Sequence, residues 1–349
     1  MSWLQLALRQ HEVCWHTPRH PGEQRVFLYG NSAIFGYPLP TEQTLSYLLN
    51  QHFDRSDGPA YVFNLGFAGS FQVKDALIMR ASLAYQPDAI VYAATLSDFD
   101  HFAPCWLPGI VRLFDGNRSL ALQFASERPA GLAEPLQIYR TVLTTPSPEH
   151  SRAQPLWQIG AFVRTLAREH ADRVRHYLLP SLRDSAINTS GRQTHYDCAK
   201  TREEAGHLYN HWQEWNILAY LKEVSDSTGV PVAIVNWPVA HEPVDDCYNV
   251  RFTNAALSEY NLWLAEEAKA AGFAYLDLHD FLAPEDFVDS LHVSAPGHRK
   301  LAERFAPFLD ALLSEIESTR QRTRQTATER TATAQTERSG DRPPERQHE

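Results

Sequence analysis

Three stretches of the 349-residue sequence carry side chains suited to acyl transfer: Gly30-Asn31-Ser32, Gly69-Ser70 and Asp289-Ser290-Leu291-His292. A serine hydroxyl is a weak nucleophile until a base takes its proton. Histidine can accept that proton around neutral pH, which gives His292 the part of general base toward Ser32. Asp289, three residues earlier, could hold the imidazole tautomer and stabilise the imidazolium. Glycine at 69 lets a backbone N–H approach a developing oxyanion with no side chain in the way. Taken alone, Ser32 reads as a small turn residue. With Gly69, Asp289 and His292 beside it, the catalytic reading outweighs that one.

These residues must be carried to one place, and the hydrophobic pattern suggests how. Short apolar runs at Arg25–Tyr29, Ala60–Phe63, Asp88–Ala94, Val230–Val235 and Phe273–Asp277 read as strands. Helical patterns separate them, at about 42–53, 71–85, 202–226, 254–271 and 295–316, the first with Leu45, Leu48, Leu49 and Phe53 on one stripe. Strands alternating with helices imply parallel pairing, hence a three-layer α/β/α sandwich around a mostly parallel five-stranded sheet. Ligands bind outside the carboxyl ends of such strands. Ser32 follows the first strand, Gly69 the second, Thr95-Leu96-Ser97-Asp98 the third, and Asp289 with His292 the fifth. All therefore fall on one edge of the expected sheet.

At this point the sequence resembles the SGNH, or GDSL-like, hydrolases. The first block of that family, usually Gly-Asp-Ser, is matched by Gly30-Asn31-Ser32, with Asn in place of Asp. The second, a glycine after an Asn-containing turn, is matched by Asn64-Leu-Gly-Phe-Ala-Gly69. The last, Asp-x-x-His before a small-residue stretch and a helix, is matched by Asp289-Ser-Leu-His292-Val-Ser-Ala-Pro-Gly. The third block departs: where the family has Gly-x-Asn-Asp, this chain has Thr95-Leu96-Ser97-Asp98. The resemblance covers roughly residues 25–100 and 200–316. It implies a flavodoxin-like sandwich and a serine esterase forming an acyl-enzyme on Ser32, with Asp289 and His292 completing the triad. The N–H groups of Ser32 and Gly69 would hold the oxyanion, helped by the Ser97 hydroxyl in place of the Asn amide. Ser97 has a plainer reading as a local backbone cap, and Asp98 one as the residue that orders its loop. The implied substrate is a small ester or an acyl group on a carbohydrate, and no cofactor is called for. Two alternatives stay open: an O-acyltransferase acting on a carbohydrate with the same triad, and a non-catalytic ligand-binding relative.

Composition bounds the rest. The chain is 43% hydrophobic and 21% charged, enough to bury a core. Its net charge of −10 argues against nucleic-acid binding, which needs a basic face for the phosphates. Cys14, Cys105, Cys198 and Cys247 form no C-x-x-C pair, which disfavours both a disulfide framework and structural zinc. No apolar run reaches the roughly 18 residues of a transmembrane helix. Met1–Arg9 is too short and interrupted for a signal peptide, so the expected location is the cytoplasm; a misassigned start would instead allow the cell envelope or export. Oligomeric state is not readable.

Residues 23–316 are expected to form the α/β domain, preceded by an N-terminal extension at 1–22. Within it, 101–200 breaks the strand–helix rhythm and reads as an insertion or cap with a helical pattern at 155–179. The last 33 residues, 317–349, contain no Val, Ile, Leu, Met, Phe, Trp or Tyr and are expected to be a disordered tail. His207 and His211, with Glu214 a turn on, have metal-ligand spacing but read as a solvated helix face. Asn117 and Asn188 open formal glycosylation acceptors that read as chance.

Overall fold

The computed structural model describes residues 19, 22–54, 60–67, 72–99, 118–133, 136–137, 216–240, 254–289 and 291–340. Five strands, β1 (Gln24–Tyr29), β2 (Ala60–Asn64), β3 (Ala89–Ala94), β4 (Val232–Asn236) and β5 (Ala274–Asp277), form one sheet in the order β2-β1-β3-β4-β5. Every neighbouring pair is parallel, so the sheet is wholly rather than mostly so. The helices are α1 (Ser32–Phe35), α2 (Leu45–Phe53), α3 (Gln72–Ser82), α4 (Arg118–Glu127), α5 (Ile217–Thr228), α6 (Asn254–Ala270) and α7 (Ala295–Gly340).

A parallel sheet covered on both faces needs apolar side chains at successive positions. In β3 all six residues are buried. Because side chains alternate across a strand, Val26 and Leu28 of β1, Val91 of β3 and Val235 of β4 face one side. They pack there with Leu45, Leu49 and Phe53 of α2 and Leu301, Phe305 and Leu309 of α7. Phe27, Tyr29, Ile90, Tyr92 and Ile234 face the other, against Leu77 of α3, Phe124 of α4, Leu221 of α5 and Leu264 of α6. The result is a three-layer α/β/α sandwich.

Three elements differ from the sequence reading. Helix α2 begins at Leu45, after a 3-10 turn at Thr41–Gln43. Helix α4 lies within 101–200 yet belongs to a layer of the sandwich. Its Phe124 meets Tyr220 of α5 edge-on at 5.4 Å, and the Ala130 N–H just beyond it donates to Glu223 at 2.8 Å. The described part of that stretch, residues 118–133 and 136–137, thus packs into the sandwich; the helical pattern at 155–179 lies outside the described residues. Finally, α7 continues through Gly340, where a disordered tail was expected from 317. Lack of apolar residues removes a reason to dock. It does not remove helix propensity, and Ala, Arg, Gln and Glu are good helix formers. The extension grows from a helix already nucleated on the core.

Candidate active site

Each site residue is positioned by a short, heavily bonded connection at the carboxyl edge of the sheet. After β1 the chain turns at Gly30. A Cβ there would stand 2.5 Å from Ile34 Cγ1 and 2.9 Å from the Ala93 carbonyl oxygen, which excludes other residues. Asn31 then caps α1, its Oδ1 accepting from Ala33 N–H at 2.9 Å. Ser32 is the first residue of that helix and half-buried. The other side of the Asn31 amide donates to Thr95 Oγ1 and Asp98 Oδ1, both at 3.1 Å. Asp98 in turn accepts from the Thr95 N–H and hydroxyl, each at 2.8 Å. Burial pushes the Asp98 carboxyl up, against the bonds from Thr95 and Asn31 and the charge of Lys74, which pull it down. The Gly30–Ser32 turn is thus tied to the end of β3.

The Asp289–His292 segment is a small closed loop. Phe287 and Val293 pair as an antiparallel bridge, and Val288 N–H donates to the His292 carbonyl at 2.8 Å. Below it the buried Asp286 accepts from Lys300 Nζ of α7 at 2.7 and 2.8 Å. Gly297 allows α7 to press on this loop, since a Cβ there would meet the Asp286 carbonyl oxygen at 2.6 Å. At the tip, Asp289 Oδ1 accepts from the N–H groups of Leu291 (2.9 Å) and His292 (2.7 Å). Its Oδ2 lies 2.6 Å from His292 Nδ1, and His292 Nε2 lies 2.8 Å from Ser32 Oγ. Burial alone would raise the Asp289 carboxyl. The His292 hydrogen bond and charge and the two N–H donors outweigh it and hold the carboxyl below its ordinary value. Asp289 is therefore an anion at neutral pH.

Of the residues singled out in the sequence, Ser32, His292 and Asp289 are brought together. Gly69 and Ser70 lie outside the described residues. Ser97 sits in the 3-10 turn Leu96–Phe99 after β3, and the description does not extend to its side chain. Also outside it are the four cysteines, His207, His211, Glu214, Asn117 and Asn188. Among the described residues no group of three or more His, Cys, Asp or Glu could hold a metal ion, and no helix is long and apolar enough to cross a membrane.

Sequence reasoning missed three contributors. Asn64 is more than a turn former: its Nδ2 donates to the Ile34 carbonyl at 2.9 Å while its Oδ1 accepts from Gly66 N–H at 3.0 Å, joining the second loop to α1. Tyr37, 55% exposed, packs edge-on to the His292 ring at 5.2 Å and shields one side of it. Lys74, within the helix expected at about 71–85, is wholly buried beside Asp75. No local signal marks any of them, because the contacts that fix their roles, Asn64 to Ile34, Tyr37 to His292 and Lys74 to Gly30, join segments far apart in sequence.

No protein-family model matches the sequence, and no curated protein matches it. Solved structures similar to the chain include the psychrotrophic esterase EstA from Pseudoalteromonas sp., at 9% identity over 83% of this chain and 99% of that one, TM-score 0.43. A carbohydrate acetylesterase family member from Sinorhizobium meliloti shares 12% identity over 83% and 99%, TM-score 0.40. A member of the lipolytic protein G-D-S-L family from Veillonella parvula shares 10% over 80% and 94%, TM-score 0.36.

Proposed function

We propose that the protein is a serine esterase that cleaves small-molecule or glycan esters through an acyl-enzyme on Ser32. The observation that carries this reading is the unbroken series of contacts from Asp289 through His292 to Ser32, at 2.6 and 2.8 Å. Ser32 Oγ attacks the ester carbonyl as His292 Nε2 takes its proton. His292 then gives that proton to the departing alcohol, leaving Ser32 acylated. Water, deprotonated by the same nitrogen, attacks the acyl-enzyme, releasing the acid and restoring the serine. Asp289, anionic and held by two backbone N–H groups, keeps Nδ1 protonated and offsets the charge on the ring. The Ser32 N–H, at the first position of α1, has no intrahelical acceptor and is one oxyanion donor. The N–H of Gly69 is the second, with the Ser97 hydroxyl as auxiliary.

A fluorophosphonate probe tests this directly. The purified protein is expected to be labelled at Ser32, and Ser32→Ala to abolish labelling. Labelling that persists in Ser32→Ala would place the nucleophile elsewhere and overturn the reading.

A further inference from the structure

Lys74 lies on α3, directly after the second loop, with no exposed surface on its side chain. Its ammonium donates to the Phe67 carbonyl at 2.5 Å and to the Gly30 carbonyl at 3.3 Å, and it pairs with Asp75 Oδ1 at 2.9 Å. Gly30 O also accepts from the Phe67 N–H at 3.0 Å. Two connections that leave different strands are thus fastened to each other at the same point, by a backbone bond and by a charged side chain. One of them continues at once into Asn31 and Ser32. The other reaches Gly69 two residues after Phe67.

A buried ammonium is costly, and packing alone could be met by an apolar side chain of similar volume. Asp75 shares the cost. It is itself wholly buried, its Oδ2 accepts from the Tyr92 hydroxyl at 3.4 Å, and burial pushes its carboxyl up to about 7. What the pair secures is a fixed distance between the nucleophile turn and the start of the glycine loop. Asn31 and Asp98 secure the same turn from the β3 side. Oxyanion donors contribute fully only near 3 Å from the oxygen they serve, so a small shift of one loop against the other matters in the transition state. The same shift barely touches ground-state binding.

We propose that Lys74 is a positioning residue for the oxyanion-binding side of the site, holding the Phe67 loop against the Gly30 turn. The proposal rests on Ser32 being the nucleophile. Lys74→Met alone would leave Asp75 as an unpaired buried charge, so the test uses Lys74→Met/Asp75→Asn, which removes both charges and keeps an acceptor for Tyr92. On p-nitrophenyl acetate, kcat is expected to fall about tenfold or more, short of the roughly 10²- to 10³-fold loss for deleting a donor outright. KM should stay within about threefold, because uniform binding is not what Lys74 supports. The rate of fluorophosphonate labelling should fall with kcat.

Circular dichroism establishes that the variant is folded. If it is not, Lys74→Gln/Asp75→Asn, which keeps an amide donor for one carbonyl, is measured instead. A lower kcat at parental KM supports the proposal there too. Parental kcat in either folded variant overturns it, as does a rise in KM with kcat unchanged. Parental protein that is labelled at Ser32, with variants that react at the parental rate, sinks the role of Lys74 alone. Parental protein not labelled at Ser32 sinks the esterase reading and the role of Lys74 with it.

Discussion

The Asn31 amide meets two kinds of partner at once. Its oxygen accepts from Ala33 N–H, and its nitrogen donates to Thr95 and to the buried carboxyl of Asp98. A carboxylate could take the first contact and not the second, which accounts for asparagine where the resembling family usually has aspartate. Asn31→Asp would set two buried carboxyl groups against each other, tolerable only when they share a proton. The expected loss is about 1–3 kcal/mol, measured by denaturant unfolding. It should grow from pH 5 to pH 8, as the shared proton is removed. An equal loss at both pH values would show that repulsion at Asp98 is not its cause.

Helix α7 joins two regimes. Up to Ile316 it buries Leu301, Phe305, Leu309, Leu312 and Leu313 against the sheet. Beyond Glu317 its described residues are mostly exposed, with local bonds such as Gln321 to Glu317 at 3.2 Å. One contact past that point returns to the core: Arg320 reaches Asp88, which also receives Arg19 and the Arg25 N–H. Deleting 317–349 should therefore cost about 1 kcal/mol, modest because Arg320 is partly exposed, or roughly 1–2 °C in Tm for a protein of this size. Deleting only 326–349 should leave Tm unchanged. Equal Tm values for the two truncations would show that Arg320 contributes nothing measurable.

At the scale of the whole fold, one buried ring makes stability sensitive to acid. His298, with no exposed surface, stands beside Trp237 at 6.4 Å between ring centroids, and burial holds it down to about 4. Between about 6.5, the ordinary value, and 4 the unfolded chain takes up a proton that the folded protein does not. Stability is then fully present above that window and is lost as pH falls through it, by up to about 3 kcal/mol. His298→Gln should lose that much less than the parent between pH 6.5 and 4 in urea unfolding. Parallel pH profiles would mean that burial of this ring is not what acid works against.

The strands, their order along the chain and the edge on which Ser32 and His292 fall were legible in the sequence. Runs such as Ala89–Ala94, apolar at every position, have few other uses in a globular chain, and a parallel sheet aligns the ends of its strands by construction. Asp289 was legible for the same reason, lying three residues from the imidazole it serves. The lateral order of the strands, the burial of Lys74, the Asn31–Asp98 contact and the place of α4 in a layer were decided only by the tertiary structure. Each joins residues tens of positions apart, and local pattern reports only which face or turn a residue favours. Lys74 is the plainest instance. Its sequence neighbourhood, Val73-Lys74-Asp75, suits a solvated helix face as well as a buried one. Two carbonyls from other connections, Gly30 and Phe67, give its ammonium a place to stay inside.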